Sequence, residues 1–434
     1  MFVRALLFFC LVIPGQAEWP AFRGPTNDGH YPPAADGKSH RFPIEWSEGK
    51  NIVWKTPVTG RAWSTPVVMD NEVWVTNATP DGKRMYAVCL DKTTGKKVHD
   101  ILLFENEAPE PLSNHVNGYG SCSPAIDSEH VYIHFGSYGT TALDRKTGKT
   151  VWERRDLPCQ HFRGPGSSVV LHKSMIILTM DGVDVQYLIA LDRKTGKKVW
   201  RSERNTDFGD VEPDGKIRGG GDFRKAYSTP NFVTLNGVRQ LVSPGAKACY
   251  SYDADTGKEL WKVLYKGFSN AAAPVFVGND MALINTGLGK PHLLGVRLDH
   301  ETQGDITRSH IEWDIFKRIP GRCSPVVIGS DVTLPPNPAS SAFSTLRKDR
   351  LKNTLLSKPL SQLLGFMPTI TSSLRTKKEK PLSLNLAPNW KSLRPINSTT
   401  AVWPRRLSMK KPFTCAPNRT SIGSRKNNTT GKVQ

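Results

Sequence analysis

Short apolar stretches separated by turn-forming residues recur along most of the chain. Val73-Trp74-Val75 and Val131-Tyr132-Ile133, for example, each follow an Asp-containing turn and start a new apolar strand. Period-two alternation is abundant before residue 333, and no segment there sustains a helical period. The pattern predicts an all-β body built from many short strands.

One phrase recurs within this pattern, with apolar-Asp at its start and Gly-Lys at its end. The copies are Leu90–Lys96, Leu143–Lys149, Leu191–Lys197 and Tyr252–Lys258, with a degenerate copy at Leu298-Asp299. Three copies have a Trp eight residues after the Asp, where the first copy has His99. The predicted structural positions are Asp91, Gly95, Asp144, Gly148, Trp152, Asp192, Gly196, Trp200, Asp253, Gly257 and Trp261.

The phrase has the chemistry of a β-hairpin. The Asp carboxylate accepts hydrogen bonds from backbone amides of the turn, and the Gly supplies the positive φ that the turn requires. Each repeat, 46 to 61 residues from Asp to Asp, holds about four short strands. Four-stranded units at this spacing predict the blades of a β-propeller. The units are too short to be a string of separate sandwich domains.

The Asp-x-x-Thr-Gly-Lys-x-x-Trp phrase resembles the pyrroloquinoline-quinone (PQQ)-like propeller repeat. Quinoprotein alcohol dehydrogenases and the lipoprotein of the outer-membrane barrel assembly machinery share this repeat. The opening Trp19–Pro25 is similar to that of exported bacterial members, and the resemblance covers residues 18–332. It implies that each Trp docks between neighbouring blades. It also implies a ring of seven or eight blades, of which the chain as written holds five and a fragment.

The N-terminus has the pattern of a signal peptide. Met1–Arg4 is short and positively charged, Ala5–Pro14 is apolar, and Gly15–Ala17 offers small residues for cleavage. The apolar run is too short to span a bilayer. We therefore expect residues 1–17 to be removed after Ala17, which leaves a periplasmic or extracellular protein.

Charge separates the body from a basic tail. From Thr333 to Gln434 the chain holds 19 Lys and Arg against 2 acidic residues, so the first 332 residues hold 40 against 37. A nearly neutral body excludes a uniformly basic nucleic-acid-binding domain. The tail, residues 333–434, is interpreted either as a disordered arm that binds polyanions or as the product of a shifted reading frame.

Codon degeneracy favours the shifted frame. When the reading frame is moved forward by two nucleotides, the codons of Phe343–Asp349 permit an apolar residue, Leu, Asp, Ala, Lys, a charged residue and Gly. This series matches the Leu-Asp hairpin phrase that is missing from the sixth repeat. The codons of Phe366–Thr371 permit a Tyr-Ala-Asp-Asn turn in the same frame. The repeat pattern breaks off in the tail as written. We therefore predict that the tail is out of frame.

The remaining chemical motifs are expected to be structural. His130 and His134 flank a predicted strand about 13 Å long, too far apart for one metal ion. Cys159 and His161 have no third ligand nearby in sequence, and Gly219–Gly221 is predicted to be a surface loop. No catalytic, cofactor-binding or metal-binding residue is predicted.

The expected function is that of an exported, non-catalytic propeller that binds a protein or another envelope component. The alternative is a PQQ-dependent dehydrogenase with calcium, which the repeat resembles. Such enzymes are longer and carry two adjacent cysteines, whereas Cys89, Cys122, Cys159, Cys249 and Cys323 are scattered. Polyanion binding through the tail is the second alternative. No specific nucleic-acid partner and no cofactor are expected.

Overall fold

A computed structural model describes residues 18–31, 42–112, 116–317, 319–329 and 331–334, together with the backbone of 344–347. The predicted signal peptide and the tail beyond Leu334, apart from that short backbone segment, lie outside the described residues. Within the described part, no helix has the length and hydrophobicity needed to cross a bilayer.

Most of the described chain forms antiparallel sheets whose strands follow one another in sequence. Each sheet is called a blade. Blade one is β1 Val67–Met69, β2 Glu72–Ala78, β3 Arg84–Asp91 and β4 Lys97–Glu105. Blade two is β5 Ala125–Ile126, β6 His130–His134, β7 Thr140–Asp144 and β8 Thr150–Arg154. Blade three is β9 Val170–His172, β10 Met175–Asp181, β11 Gln186–Asp192 and β12 Lys198–Glu203.

The next three sheets vary this plan. Blade four is β13 Asn231–Leu235, β14 Val238–Pro244, β15 Ala248–Asp253 and β16 Glu259–Leu264, with β20 Gly304–Asp305 added in parallel to β16. Blade five is β17 Val275–Val277, β18 Met281–Asn285, β19 Leu293–Arg297 and β21 Ile311–Ile315. Blade six has three described strands, β22 Val326–Ile328, β23 Asp331–Leu334 and β24 Ser344–Arg347.

This architecture confirms the predicted all-β propeller of four-stranded blades. The hydrophobic core lies between adjacent blades: one cluster joins Val67 and Trp74 of blade one to Ile133 and Leu143 of blade two. Such inter-blade clusters bury the faces that an isolated four-stranded sheet leaves exposed. Strand β23 continues to Leu334, two residues beyond the expected end of the body at residue 332. Strand β24, Ser344–Arg347, pairs with β23 and lies within the segment that was expected to be irregular.

The long Asp192–Asp253 spacing comes from the connection between β12 and β13. It contains the short 3-10 segment Arg218–Arg224, which is interrupted by three glycines, Gly219–Gly221, whose positive φ angles are not helical. Gly219 and Gly220 are exposed, as expected of a surface loop, whereas Gly221 departs from that expectation. Gly221 is buried, and a Cβ atom on it would lie 2.7 Å from Val183, so this segment packs against blade three.

Candidate functional site

The repeated phrase forms the hairpin between the third and fourth strands of a blade. Asp192 Oδ1 accepts hydrogen bonds from the Thr195 amide at 2.9 Å and hydroxyl at 2.8 Å, and Gly196 has φ +68°. In the other three copies the Thr amide likewise donates a hydrogen bond to the Asp carboxylate, and the glycine has a positive φ. These copies are Asp91/Thr94/Gly95, Asp144/Thr147/Gly148 and Asp253/Thr256/Gly257. The turns are thus formed by Asp carboxylate hydrogen bonds and by a glycine with positive φ.

Each of two predicted Trp residues packs against the hairpin glycine of the following blade. A Cβ atom on Gly196 would lie 2.6 Å from the Trp152 ring, and one on Gly257 would lie 2.5 Å from Trp200. Trp152 Nε1 also donates to Arg193 O at 2.8 Å. We propose that these contacts set the spacing between blades, because a larger residue at either glycine collides with the indole.

Trp261 and His99 vary this contact. Trp261 is fully buried between blades four and five, but its Nε1 donates to Gln240 of its own blade at 2.9 Å. The next hairpin, at Asp299, has Gln303 where the other copies have glycine, and no atom lies within 4 Å of the Cβ position of Gly304. His99, in the first copy, lies beside Gly148, whose Cβ position is 3.1 Å from the imidazole Nδ1.

Two docking residues escaped the sequence pattern. Trp313 lies opposite Gly295 on the neighbouring strand, as Trp152 lies opposite Ala142. A connection that includes β20 separates Trp313 from Asp299 by 14 residues, instead of the eight residues seen in the repeats. Trp54 packs on Gly95 and precedes the first hairpin. The Gly49-Lys50…Val53-Trp54 spacing, close to that of the repeats, was the available signal for Trp54.

Hydroxyl groups link the first strands of successive blades around the inside. The Thr65 amide donates to Ser123 Oγ at 2.8 Å, the Ser123 amide to Ser168 Oγ at 3.0 Å, and the Ser168 amide to Thr229 Oγ1 at 3.0 Å. The Ala273 amide donates to Ser324 Oγ at 2.9 Å. The hydroxyl residues at these positions, called the hydroxyl ring below, are Thr65, Ser123, Ser168, Thr229 and Ser324. Their bonds place the first strand of each blade innermost.

The N-terminal segment 19–31 lies across one end of these inner strands. Trp19 exchanges backbone hydrogen bonds with Val68, and the Ile126 amide donates to Pro20 O. At the far side, Arg23 Nη2 donates to Pro325 O at 2.8 Å. The opening that resembles exported family members is thus a plug that contacts blades one, two and six.

The opposite end of the inner strands is the candidate site, called the entrance. The residues that lie there come two positions before each member of the hydroxyl ring in sequence. They are five residues, or about 16 Å of extended chain, from the residues that contact the plug. These include Trp63, whose ring lies over Gly118, and Tyr227, whose ring lies against Gly166. Arg322 occupies the same position in blade six and is exposed.

An ion pair beside these residues has unused hydrogen-bonding atoms. Arg163 Nη2 lies 2.7 Å from Asp222 Oδ2, and burial raises the pKa of Asp222 although Arg163 opposes that shift. Trp63 Nε1, Arg163 Nε and Asp222 Oδ1 are buried atoms without a hydrogen-bond partner among the described residues. Such atoms are costly to leave unsatisfied, and because all three are covered by neighbouring atoms, ordered water is the partner we expect for them.

A second concave surface lies beside blade four. It is a cleft of about 450 Å³ lined by Lys247, Lys262, Lys266, Asp207 and Asp305, among other residues. Lys247 Nζ already donates to the backbone oxygen of Lys266 at 2.9 Å. The three lysines and two aspartates of the lining nearly balance in charge, so the cleft has no strong preference for anionic ligands.

The remaining His and Cys pairs are part of the core. His130–His134 is strand β6, as predicted. Cys159 Sγ lies 3.6 Å from His161 Nδ1, both residues are buried, and burial raises the pKa of the Cys159 thiol to about 12. The thiolate needed for nucleophilic or metal chemistry is therefore disfavoured. No cluster of three potential metal ligands occurs among the described residues.

We expect acid to destabilise the protein through two buried histidines. Burial lowers the pKa of His134 to about 3 and that of His161 well below its usual value. The unfolded chain, with histidine pKa values near 6.5, binds more protons, so stability is lost as pH falls through about 6.5. The loss between pH 7.5 and 5.5 is about 2–3 kcal/mol for the pair. Urea unfolding at both pH values measures it.

The matched controls for this pH effect are His134→Gln and His300→Gln. His134→Gln removes about half of the pH-dependent loss, whereas His300→Gln changes none of it because that side chain is 84% exposed. Equal pH slopes in the two variants contradict the assignment.

Comparison with known proteins identifies a matching family model and a set of similar solved structures. Residues 43–161, 87–203 and 184–303 match the family model described as outer membrane protein assembly factor BamB. The solved structures include BamB from Moraxella catarrhalis, with 16% identity and a TM-score of 0.46, over 69% of this chain and 77% of that one. Quinohemoprotein alcohol dehydrogenase from Comamonas testosteroni aligns with 15% identity and a TM-score of 0.43, over 66% of this chain and 48% of that one.

No curated protein sequence matches the chain. The family match is repeated three times and together covers residues 43–303, more than half of the sequence. It extends from before the first strand of blade one to beyond the third strand of blade five, Leu293–Arg297. The chain therefore belongs to the PQQ-like β-propeller family whose model carries the BamB description.

Proposed function

We propose that this chain is an exported, non-catalytic propeller that binds a segment of another envelope protein at the entrance. The observation that carries the proposal is the composition of the entrance, whose side chains include Trp63, Tyr227, Arg163 and Arg322. Trp, Tyr and Arg are the residues that contribute most to protein–protein binding. The BamB description of the family supports an envelope role.

The partly exposed side chains of the entrance suit a polypeptide partner. The Arg322 side chain is exposed, and the side chains of Arg163 and Asp222 are 24% and 19% exposed. A guanidinium donates to peptide carbonyl oxygens and a carboxylate accepts from peptide amides, so both halves of a peptide group find a counterpart. Export follows from the predicted signal peptide, residues 1–17, which lies outside the described residues.

The dehydrogenase alternative requires a site for PQQ with calcium. Calcium takes six to eight oxygen ligands. The entrance side chains offer one carboxylate, that of Asp222, and it is already paired with Arg163. The described residues do not fit this group, and no reaction step is derived from it.

Site-specific photocrosslinking tests the proposed function. We expect a photoreactive phenylalanine at Arg322, on the entrance, to give one discrete adduct in the envelope of the native host. Val199, on outer strand β12 and 50% exposed, is the matched control position and gives little or none. Adding Arg163→Met or Trp63→Ala lowers the adduct yield about tenfold, because each such residue contributes about 1.4 kcal/mol or more.

Three outcomes count against a binding entrance. Equal adducts at positions 322 and 199, or a yield that Arg163→Met leaves unchanged, contradict it. A melting temperature raised by PQQ with calcium, and by neither alone, favours the dehydrogenase instead. Unchanged melting temperatures of the two entrance variants separate lost binding from lost folding.

A further inference from the structure

Blade five carries a serine, a histidine and an aspartate joined by side-chain hydrogen bonds. Ser309 Oγ lies 2.7 Å from His310 Nδ1, and His310 Nε2 lies 3.3 Å from Asp299 Oδ1. A hydroxyl bonded to a base, with the base oriented by a third group, is the arrangement that activates a nucleophile. It is recognised by these roles and not by the order of the residues in sequence.

The backbone around the start of strand β21 brings these residues together. The Arg297 amide, at the end of β19, donates to His310 O at 2.8 Å, and Arg297 Nη2 donates to Ser309 O at 3.4 Å. Asp299 follows Arg297 by two residues, as the degenerate copy of the hairpin Asp. The strand pair therefore fixes His310 beside the carboxylate, although 11 residues separate them.

Asp299 determines which nitrogen of His310 carries the proton. The carboxylate forms an ion pair with Arg297, so it is ionised and only accepts hydrogen bonds. His310 Nε2 must therefore donate. Burial lowers the pKa of His310, and Arg297 adds to this shift while two glutamates oppose it more weakly. The ring is thus neutral at pH 7, and Nδ1 accepts the proton of the Ser309 hydroxyl.

The serine is accessible and the base behind it is shielded. Ser309 is exposed, whereas His310 is 3% exposed. A reagent can therefore approach the hydroxyl oxygen from solvent while water is kept from the imidazole. The hairpin at Asp299 follows the third strand of blade five, so the site lies at the end of the ring opposite the entrance.

The surrounding amides limit what this serine can do. Repeated acyl transfer depends on hydrogen-bond donors aimed at the oxyanion that forms on the carbonyl oxygen. The two nearest backbone amides, those of Ser309 and His310, both donate to Ile306 O, at 3.2 and 3.1 Å. We therefore expect one acyl group to be accepted per chain, without turnover, which is compatible with a non-catalytic propeller.

We propose that Ser309 is an acyl-accepting nucleophile, activated by His310 and oriented through Asp299, for esters or thioesters. Ser309 Oγ forms a bond to the carbonyl carbon while its proton passes to His310 Nδ1. The bond from that carbon to the leaving oxygen or sulfur breaks, and His310 returns the proton to the leaving group. The products are an O-acyl serine and an alcohol or thiol. This goes beyond the proposed function, because it needs no partner at the entrance.

A fluorophosphonate probe tests the nucleophile on the full chain. The serine oxygen bonds to phosphorus and fluoride leaves, so the label stays on the reactive residue. We expect Ser309 to be labelled about a hundredfold faster than Ser174, because a positioned base contributes about 10²–10⁴-fold. Ser174 is an exposed turn residue whose hydroxyl contacts no histidine in the described part of the chain. Peptide mapping by mass spectrometry measures both rates in one sample, and equal rates overturn the proposal.

An acyl donor and matched variants give the second readout. p-Nitrophenyl acetate is expected to release a burst of about one equivalent of nitrophenol per chain. Ser309→Ala loses the burst, Ser174→Ala keeps it, and His310→Gln slows it about a hundredfold. A burst that survives in Ser309→Ala overturns the assignment. Continued release that depends on Ser309 overturns the limit of one acyl group.

Asp299 is a positioning residue, and its variant needs a readout that a purely structural role would not change. Nitrogen NMR of the histidine rings reports which nitrogen of His310 is protonated. We expect the Nε2–H form in the parent and a smaller fraction of it in Asp299→Asn, together with slower labelling of Ser309. Unchanged protonation and unchanged labelling in this variant contradict the role given to Asp299.

Discussion

Arg204→Met is expected to lower the free energy of unfolding by about 3–5 kcal/mol, because it leaves a buried carboxylate without its partner. Arg204 Nε lies 2.8 Å from Asp181 Oδ1, and both side chains are 1% exposed. The guanidinium also donates to Ser243 O at 2.9 Å, so one side chain joins blade three to blade four. Burial raises the pKa of Asp181 even with Arg204 present, which shows how costly this carboxylate is. The midpoint of urea unfolding measures the loss.

The matched control is Arg218→Met, which breaks an exposed ion pair. Arg218 Nε lies 3.7 Å from Glu212 Oε1, and both side chains are about half exposed. Such pairs contribute less than about 1 kcal/mol. The double variant Asp181→Leu/Arg204→Met recovers only part of the loss. The unpaired carboxylate is then gone, but the buried ammonium of Lys225, which also interacts with Asp181, loses that carboxylate. Similar losses in Arg204→Met and Arg218→Met contradict a structural role for the buried pair.

Gly196→Ala is expected to destabilise the protein by about 2–4 kcal/mol, for two reasons. An alanine at φ +68° adopts a left-handed conformation, which costs about 1–2 kcal/mol. Its Cβ atom would also lie 2.6 Å from the Trp152 ring, and overpacking of this kind costs about 1–3 kcal/mol. Thermal or urea unfolding measures the sum.

Gly237→Ala separates these two costs. Gly237 has φ +76°, but no atom lies within 4 Å of its Cβ position. The control variant therefore loses about 1–2 kcal/mol for conformation alone. The double variant Gly196→Ala/Trp152→Val gives a further check, because removing the indole relieves the collision and makes the alanine less costly than in the parent. If Gly196→Ala and Gly237→Ala lose the same stability, the Trp152 contact does not restrict the blade spacing.

The hairpins were predictable because their chemistry is local. Asp192, Thr195 and Gly196 lie within five residues, and the bonds that join them depend on no distant part of the chain. Strand alternation is local as well, so the number of blades followed from the number of hairpins. The resemblance to the PQQ-like repeat then supplied the role of Trp152 and Trp200.

The two docking residues Trp54 and Trp313 were missed for a different reason. The predicted Trp positions lie a fixed distance after a hairpin Asp within the same blade. The connection that includes β20 changes that distance for Trp313. Trp54 precedes the first hairpin, and Lys92, whose backbone oxygen accepts from its indole, lies 38 residues further along the chain. Only the tertiary structure reveals this contact.

The entrance and the plug belong to the tertiary structure alone. Arg163 and Asp222 are 59 residues apart, and Arg23 reaches Pro325 across 302 residues. No local pattern records such pairs, because ring geometry brings them together. The sequence by itself determined the all-β repeat, its hairpins and the contrast between body and tail, since turn chemistry, alternation and charge are properties of neighbouring residues. The folded ring decided which indole meets which glycine, which end the N-terminal segment covers and which buried atoms remain open, because those are relations between blades.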